Sequence, residues 1–106
     1  MWSFSFWKVR KSDHIANFRG FINLGYVNDI DLSYTDIPNI TDSRYHVSFL
    51  VPYICATQAA ERHLVIGYFY YNANYGAQLF IGCGSSGLTY RRCVNGTWGA
   101  WKQLAD

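Results

Sequence analysis

Six residues able to hold a small polar ligand crowd one stretch: Tyr68, Tyr70, Tyr71 and Tyr75 surround a turn carrying Asn72 and Asn74. A phenol ring has a flat apolar face and a polar edge, and an amide supplies both donors and an acceptor. Together they suit stacking on a sugar ring while hydrogen-bonding its hydroxyls. Tyr70, Tyr71, Asn72, Asn74 and Tyr75 are therefore the ligand-binding candidates. The competing reading places the same tyrosines in the core or at a subunit contact.

Other chemistries find less support. His14, His46 and His63 are scattered and share no metal-ligand spacing. Asp13 adjoins His14 and Glu61 lies near His63, but neighbouring strand residues point to opposite faces. No glycine-rich phosphate loop or nucleophile elbow occurs. Asp29, Asp31, Asp36 and Asp42 fall in one stretch, but their spacing matches no calcium loop. The expectation is a non-enzymatic chain with no metal and no cofactor. Arg91 and Arg92 stand among aromatics, which suggests a single-stranded nucleic-acid reader of the OB type. A net charge of +2 argues against a nucleic-acid partner. The simpler expectation is that one arginine covers an aromatic ring and the other is solvated.

These groups need a scaffold, and 106 residues form one domain, 1–106. Half of the residues are hydrophobic, 19% are aromatic and only 15% are charged, which excludes a disordered chain. Cys55, Cys83 and Cys93 are odd in number and widely spaced, so they read as buried free thiols rather than a disulfide framework or zinc site. The alternative is a Cys83–Cys93 bridge. The apolar start, Met1 to Trp7, precedes its positive charges, the wrong order for a signal peptide. Leu64 to Tyr90 carries no charge, but polar residues and glycines interrupt it too often for a membrane span. Membrane insertion is not expected.

Period-2 patterns dominate. Trp2, Phe4 and Phe6 alternate with Ser3 and Ser5 as in a half-buried strand. Gly20 to Val27 places Ile22, Leu24 and Tyr26 on one face. Asn28 to Ser43 reads as a long polar loop with room for one short strand. Thus residues 1–44 comprise N-terminal strands and a loop. From 45 onward, Tyr45 to Ala56 puts Val47, Phe49, Val51, Tyr53 and Cys55 on one face, and Pro52 points to a sheet edge or bulge. Thr57 to Glu61 could form a helical turn. Leu64 to Tyr71 is apolar on both faces, as in a covered central strand. Gln78 to Cys83, Leu88 to Val94 and Thr97 to Leu104 complete a C-terminal antiparallel meander over 45–106. The fold class is all-β, an antiparallel sandwich or partly open barrel.

Asn95-Gly96 marks a two-residue hairpin turn, because both residues tolerate positive φ. It sets Val94 opposite Thr97, Cys93 opposite Trp98, Arg91 opposite Ala100 and Tyr90 opposite Trp101. In a regular strand Trp98 and Trp101 point to opposite faces, unless Gly99 hosts a bulge.

Gln78 in a strand, then Tyr90-Arg91, then Trp98-Gly99-Ala100-Trp101-Lys102-Gln103-Leu104 resembles the knob-type domain of bacteriophage tail fibres and R-type pyocin fibres. The resemblance covers roughly residues 63–104. It implies fold-defining roles for Gln78, Tyr90, Arg91, Trp98, Trp101 and Leu104. It further implies a homotrimeric, largely β fibre-tip module of a virion, made in the bacterial host cytoplasm. Such a module binds a surface receptor, either a polysaccharide or an outer protein. Its contacts are expected in the turns at 72–76 and 84–87 and in the loop 28–42. The alternatives are a structural virion or baseplate connector that binds other virion proteins, and an OB-like nucleic-acid binder.

Overall fold

The computed structural model describes residues 20–57, 62–82 and 87–105. The expected strand at Trp2–Phe6, the helical turn over 58–61, Cys83 and the loop at 84–86 lie outside them, as do His14 and Glu61. The described residues form one sheet of seven strands: β1 (Ile22–Val27), β2 (Leu50–Thr57), β3 (Leu64–Tyr70), β4 (Gly76–Ile81), β5 (Leu88–Val94), β6 (Thr97–Trp98) and β7 (Lys102–Ala105). The strands lie side by side in the order β1-β2-β3-β4-β5-β6, and β7 also pairs with β5. The chain is all-β.

The pairs from β2 to β7 are antiparallel, as alternation and turn signals predict. β1 departs from the expectation: it pairs with β2 in parallel. Parallel neighbours need a long connection, and residues 28–49 supply it. Two 3-10 turns, Tyr34–Asp36 and Ser43–Tyr45, occur here instead of a short strand.

That connection also serves as the second layer. One face of the sheet carries Ile22, Val51, Tyr53, Cys55, Val65, Phe69 and Cys93, and the loop lays Ile37 over them. Ile30, Leu32, Tyr34, Ile40 and Tyr45 of the same loop pack around this core. Among the described residues, a loop rather than a second sheet covers this face. Gly67 passes beneath the Tyr53 ring, where an added Cβ would sit 2.5 Å from the phenol carbon.

Several local expectations are corrected. Gly25 (φ +68) interrupts β1, its N–H bonded to Asn23 Oδ1, and the pairing shifts register there. The bulge turns Val27 inward and leaves Tyr26 exposed. β2 begins at Leu50, so Val47 and Phe49 are exposed rather than part of its buried face. Pro52 lies in an interior strand, but the β1 ladder starts one residue later, at Tyr53. The proline therefore stands where β2 has no neighbour on that side. β3 is central, yet only Val65, Gly67 and Phe69 are buried; its other face is half open.

The C-terminal hairpin has the expected pairs Cys93–Trp98 and Val94–Thr97. Tyr90 then faces Lys102, not Trp101. Three steps along β5 correspond to four along the partner strand, so one extra residue is inserted between Trp98 and Lys102. Gly99 marks the site, its N–H donating to Arg92 O at 2.8 Å. This bulge brings Trp101 to the same face as Trp98.

Candidate functional site

Two groups of aromatic and polar residues stand out, one closed and one open. The closed one centres on Arg91, which is 6% exposed. Its guanidinium carbon lies 4.4 Å from the Trp98 ring centre and 4.5 Å from that of Trp101, so two indoles enclose it. Its Nε donates to Gln78 Oε1 (2.9 Å), and Nη2 donates to Ile30 O (3.0 Å) and pairs with Asp31 Oδ1 (2.8 Å). Gln78, 1% exposed, donates from Nε2 to Ile30 O (2.8 Å) and to the Tyr53 hydroxyl (2.9 Å). Trp98 Nε1 donates to Leu32 O at 2.9 Å.

Every bond of this cluster to the loop lands on residues 30–32. A buried cation is costly unless paired and hydrogen-bonded, and here the loop supplies both a carboxylate and a carbonyl. The cluster thus fastens the loop to the sheet. Burial also pushes the Tyr53 phenol well above its ordinary value, while the bond to Gln78 pulls the other way. The Cys55 and Cys93 thiols are free, buried and raised by desolvation.

The structure brings Gln78, Arg91, Trp98 and Trp101 together. Tyr90 is left out: it lies on the opposite sheet face. Leu104 is 56% exposed on β7 and joins no cluster. Arg91 is the ring-covering arginine and Arg92 the exposed one, so no guanidinium pair faces a common partner.

The ligand candidates are divided by the structure. Asn74 is structural: its Oδ1 accepts from Tyr34 N (3.3 Å) and its carbonyl accepts from Gly96 N (3.0 Å). Asn72 takes φ +57 in the turn after β3, a left-handed position that asparagine tolerates. Tyr70 and Tyr75 are exposed and share a face with Tyr68 (ring centres 6.4 Å and 6.5 Å from Tyr70). Tyr71 turns the other way, towards the loop.

There Tyr71 helps to form an open cleft of about 680 Å³ with Thr41, Ser43, His46, Ser48 and Phe49. Among the described residues, no arginine, lysine or carboxylate lines it. The His46 and Tyr71 rings meet at 4.9 Å, tilted by 50°. His46 Nε2 donates to Ile40 O (2.8 Å), which makes Nδ1 of the neutral ring an acceptor. Tyr71 N donates to Phe49 O (2.7 Å), tying the β3 end to the loop. Asp42 caps the turn carrying Ser43 and grips Arg44 with both carboxylate oxygens (Nε–Oδ1 3.0 Å, Nη2–Oδ2 2.8 Å). That bonding raises the Arg44 pKa.

The tip between Val47 and Leu50 is a tight turn closed by hydrogen bonds of 2.7 and 3.0 Å. Ser48 sits there at φ +61, a conformation costing about 1–2 kcal/mol for a residue with a Cβ. Phe49 beside it is 74% exposed. Backbone strain beside an exposed aromatic makes this tip a candidate binding surface. Sequence reasoning placed Phe49 on a buried strand face and so missed it; Ser48 followed by an aromatic just before Pro52 gave no turn signal. His46 was set aside for want of a metal partner. Among the described residues no cluster of metal-ligating side chains occurs, and no helix is long and apolar enough to cross a membrane.

No family model matches this sequence, and no curated protein or solved structure matches it either.

Proposed function

We propose that this chain is a non-enzymatic receptor-binding module of the phage tail-fibre kind, working as a homotrimer at a virion's fibre tip. Its receptor is a bacterial surface glycan, and its contact site is the cleft of Thr41, Ser43, His46, Ser48, Phe49 and Tyr71. The observation that carries the reading is this uncharged pairing of exposed aromatic faces with hydroxyls. Phe49 and Tyr71 offer surfaces on which the apolar side of a pyranose stacks, while Ser, Thr and imidazole groups meet its hydroxyls. The described lining residues carry no fixed charge, which favours a neutral sugar. The loop bearing most of these groups is anchored through Arg91 and Gln78, so little ordering entropy is spent on binding.

Adsorption of the fluorescently labelled protein to intact bacteria, before and after periodate oxidation of their surface sugars, tests the reading. Binding lost after oxidation supports it. Binding that survives oxidation and is lost after protease treatment of the cells assigns a protein receptor instead. No adsorption to any of a broad panel of strains, by a trimeric sample, overturns it.

A second reading, a structural connector within a virion, is favoured by the exposed row of Tyr68, Tyr70 and Tyr75, since aromatics are enriched at protein interfaces. It predicts capture of another virion protein and no adsorption to cells.

A further inference from the structure

The sheet changes step where β6 gives way to β7. Residues 99–101 leave the ladder, because β5 pairs first with Trp98 and then with Lys102. The gap opens a pocket of about 290 Å³ bordered by Tyr90, Arg92, Thr97, Gly99 and Lys102. Arg91 also borders it, but its guanidinium is taken up by Gln78, Ile30 and Asp31. Side chains alternate along β5. Cys93 packs into the loop-covered core, so Arg92 turns away from it. Lys102, opposite Tyr90, lies on the same side as Arg92.

The described cations fall into two sets. Arg44 is gripped by Asp42, Arg91 is paired with Asp31, and Arg62 lies over the Tyr26 ring. Arg92 and Lys102 are exposed, and among the described residues neither side chain has an ion-pair or hydrogen-bond partner. These two border the same pocket. Among the described residues no carboxylate lines it; Asp29, Asp31, Asp36 and Asp42 all belong to the 28–49 connection. Like charges on neighbouring strands repel, and a bound anion relieves that repulsion.

We propose that this pocket binds the phosphate group of a phosphorylated sugar. A guanidinium forks onto two phosphate oxygens, an ammonium adds a point charge, and the Thr97 hydroxyl supplies a further donor. A phosphate monoester carries close to two negative charges at neutral pH, matching two cations, whereas a carboxylate is satisfied by the arginine fork alone. The Tyr90 ring gives the sugar an apolar face to rest on. The volume lies at the small end of ligand pockets, roughly 300–1,000 Å³, which suits one small group. A nucleic-acid backbone needs a track of cations, and the pocket offers two. This inference is independent of the glycan reading, because the pocket and the Tyr71 cleft share no residue.

The test is an amide NMR titration of the isotope-labelled full-length protein with glucose 1-phosphate, inorganic phosphate and glucuronate at low ionic strength. The expected result is saturable shifts confined to residues 90–92 and 97–102, with glucose 1-phosphate bound tightest. Arg92→Gln and Lys102→Gln should each weaken it about tenfold without moving the urea midpoint, while Phe49→Ala/Tyr71→Ala should leave it unchanged. Equal affinity for glucuronate or inorganic phosphate overturns the proposal. So do shifts that survive Arg92→Gln/Lys102→Gln, or tighter binding of a single-stranded oligonucleotide to the same residues.

Discussion

The Arg91 cluster and the Tyr71 cleft use the same residue types, aromatic rings beside nitrogen groups, and end in opposite states. Around Arg91 both faces of the guanidinium are covered by indoles, and its hydrogen bonds go to Gln78, Ile30 and Asp31. Only 6% of Arg91 is exposed. Around Tyr71 the rings keep open faces, and Phe49 stands mostly in solvent at a strained turn. The first region is closed within the chain; the second stands open. What separates the two regions is therefore not composition but exposed surface.

The contrast can be broken from the closed side first. Arg91→Ala should destabilise the chain by about 3–5 kcal/mol, because partners are stranded and both indoles lose their packing. Urea unfolding reads this directly, and receptor binding should fall with it as residues 30–32 come loose. Arg91→Lys should recover little, since an ammonium has neither the planar fork nor the stacking face. Gln78→Leu follows at about 2–3 kcal/mol, from the loss of the bonds to Ile30, Tyr53 and Arg91. Trp98→Phe keeps a ring over Arg91 but removes the donor to Leu32 O, an expected cost of about 1–2 kcal/mol.

A subtler effect is alkaline. The native state keeps the Tyr53 proton after the unfolded chain has released it near pH 10. Unfolding then releases a proton, so stability declines as pH rises above about 10, by up to about 1.4 kcal/mol per pH unit. Tyr53→Phe should flatten that decline in a series of urea titrations. The smallest effect on stability belongs to the open side. Phe49→Ala and Tyr71→Ala should each change unfolding free energy by no more than about 0.5–1 kcal/mol, as expected for exposed positions.

The same contrast explains what could be read from the chain. Strands β2 to β6 were legible because alternation and turn residues such as Asn95-Gly96 are local signals. The meeting of Gln78, Arg91, Trp98 and Trp101 was not legible from local pattern; alternation alone put the two tryptophans on opposite faces. The bulge at Gly99 reversed that, and a bulge is fixed by what Trp101 packs against, here Phe80 at 5.5 Å. The parallel β1 was hidden because strand direction is set by a long connection, not by the strand's own residues. That connection looked polar from its aspartates, yet Ile30, Leu32, Tyr34, Ile37 and Ile40 recur every two or three positions and form the lid. Of the predicted ligand residues only Tyr71 reaches the cleft, because the β3–β4 turn sends Tyr70 and Tyr71 to different sides.

A calorimetric titration of the folded protein with neutral oligosaccharides from the surface of a susceptible bacterium tests the central claim most directly, run beside Phe49→Ala/Tyr71→Ala at matched thermal stability. Saturable binding that weakens at least tenfold in the double variant is the predicted result. Equal affinity in both proteins, or heat only from acidic sugars, would contradict the assignment of this cleft.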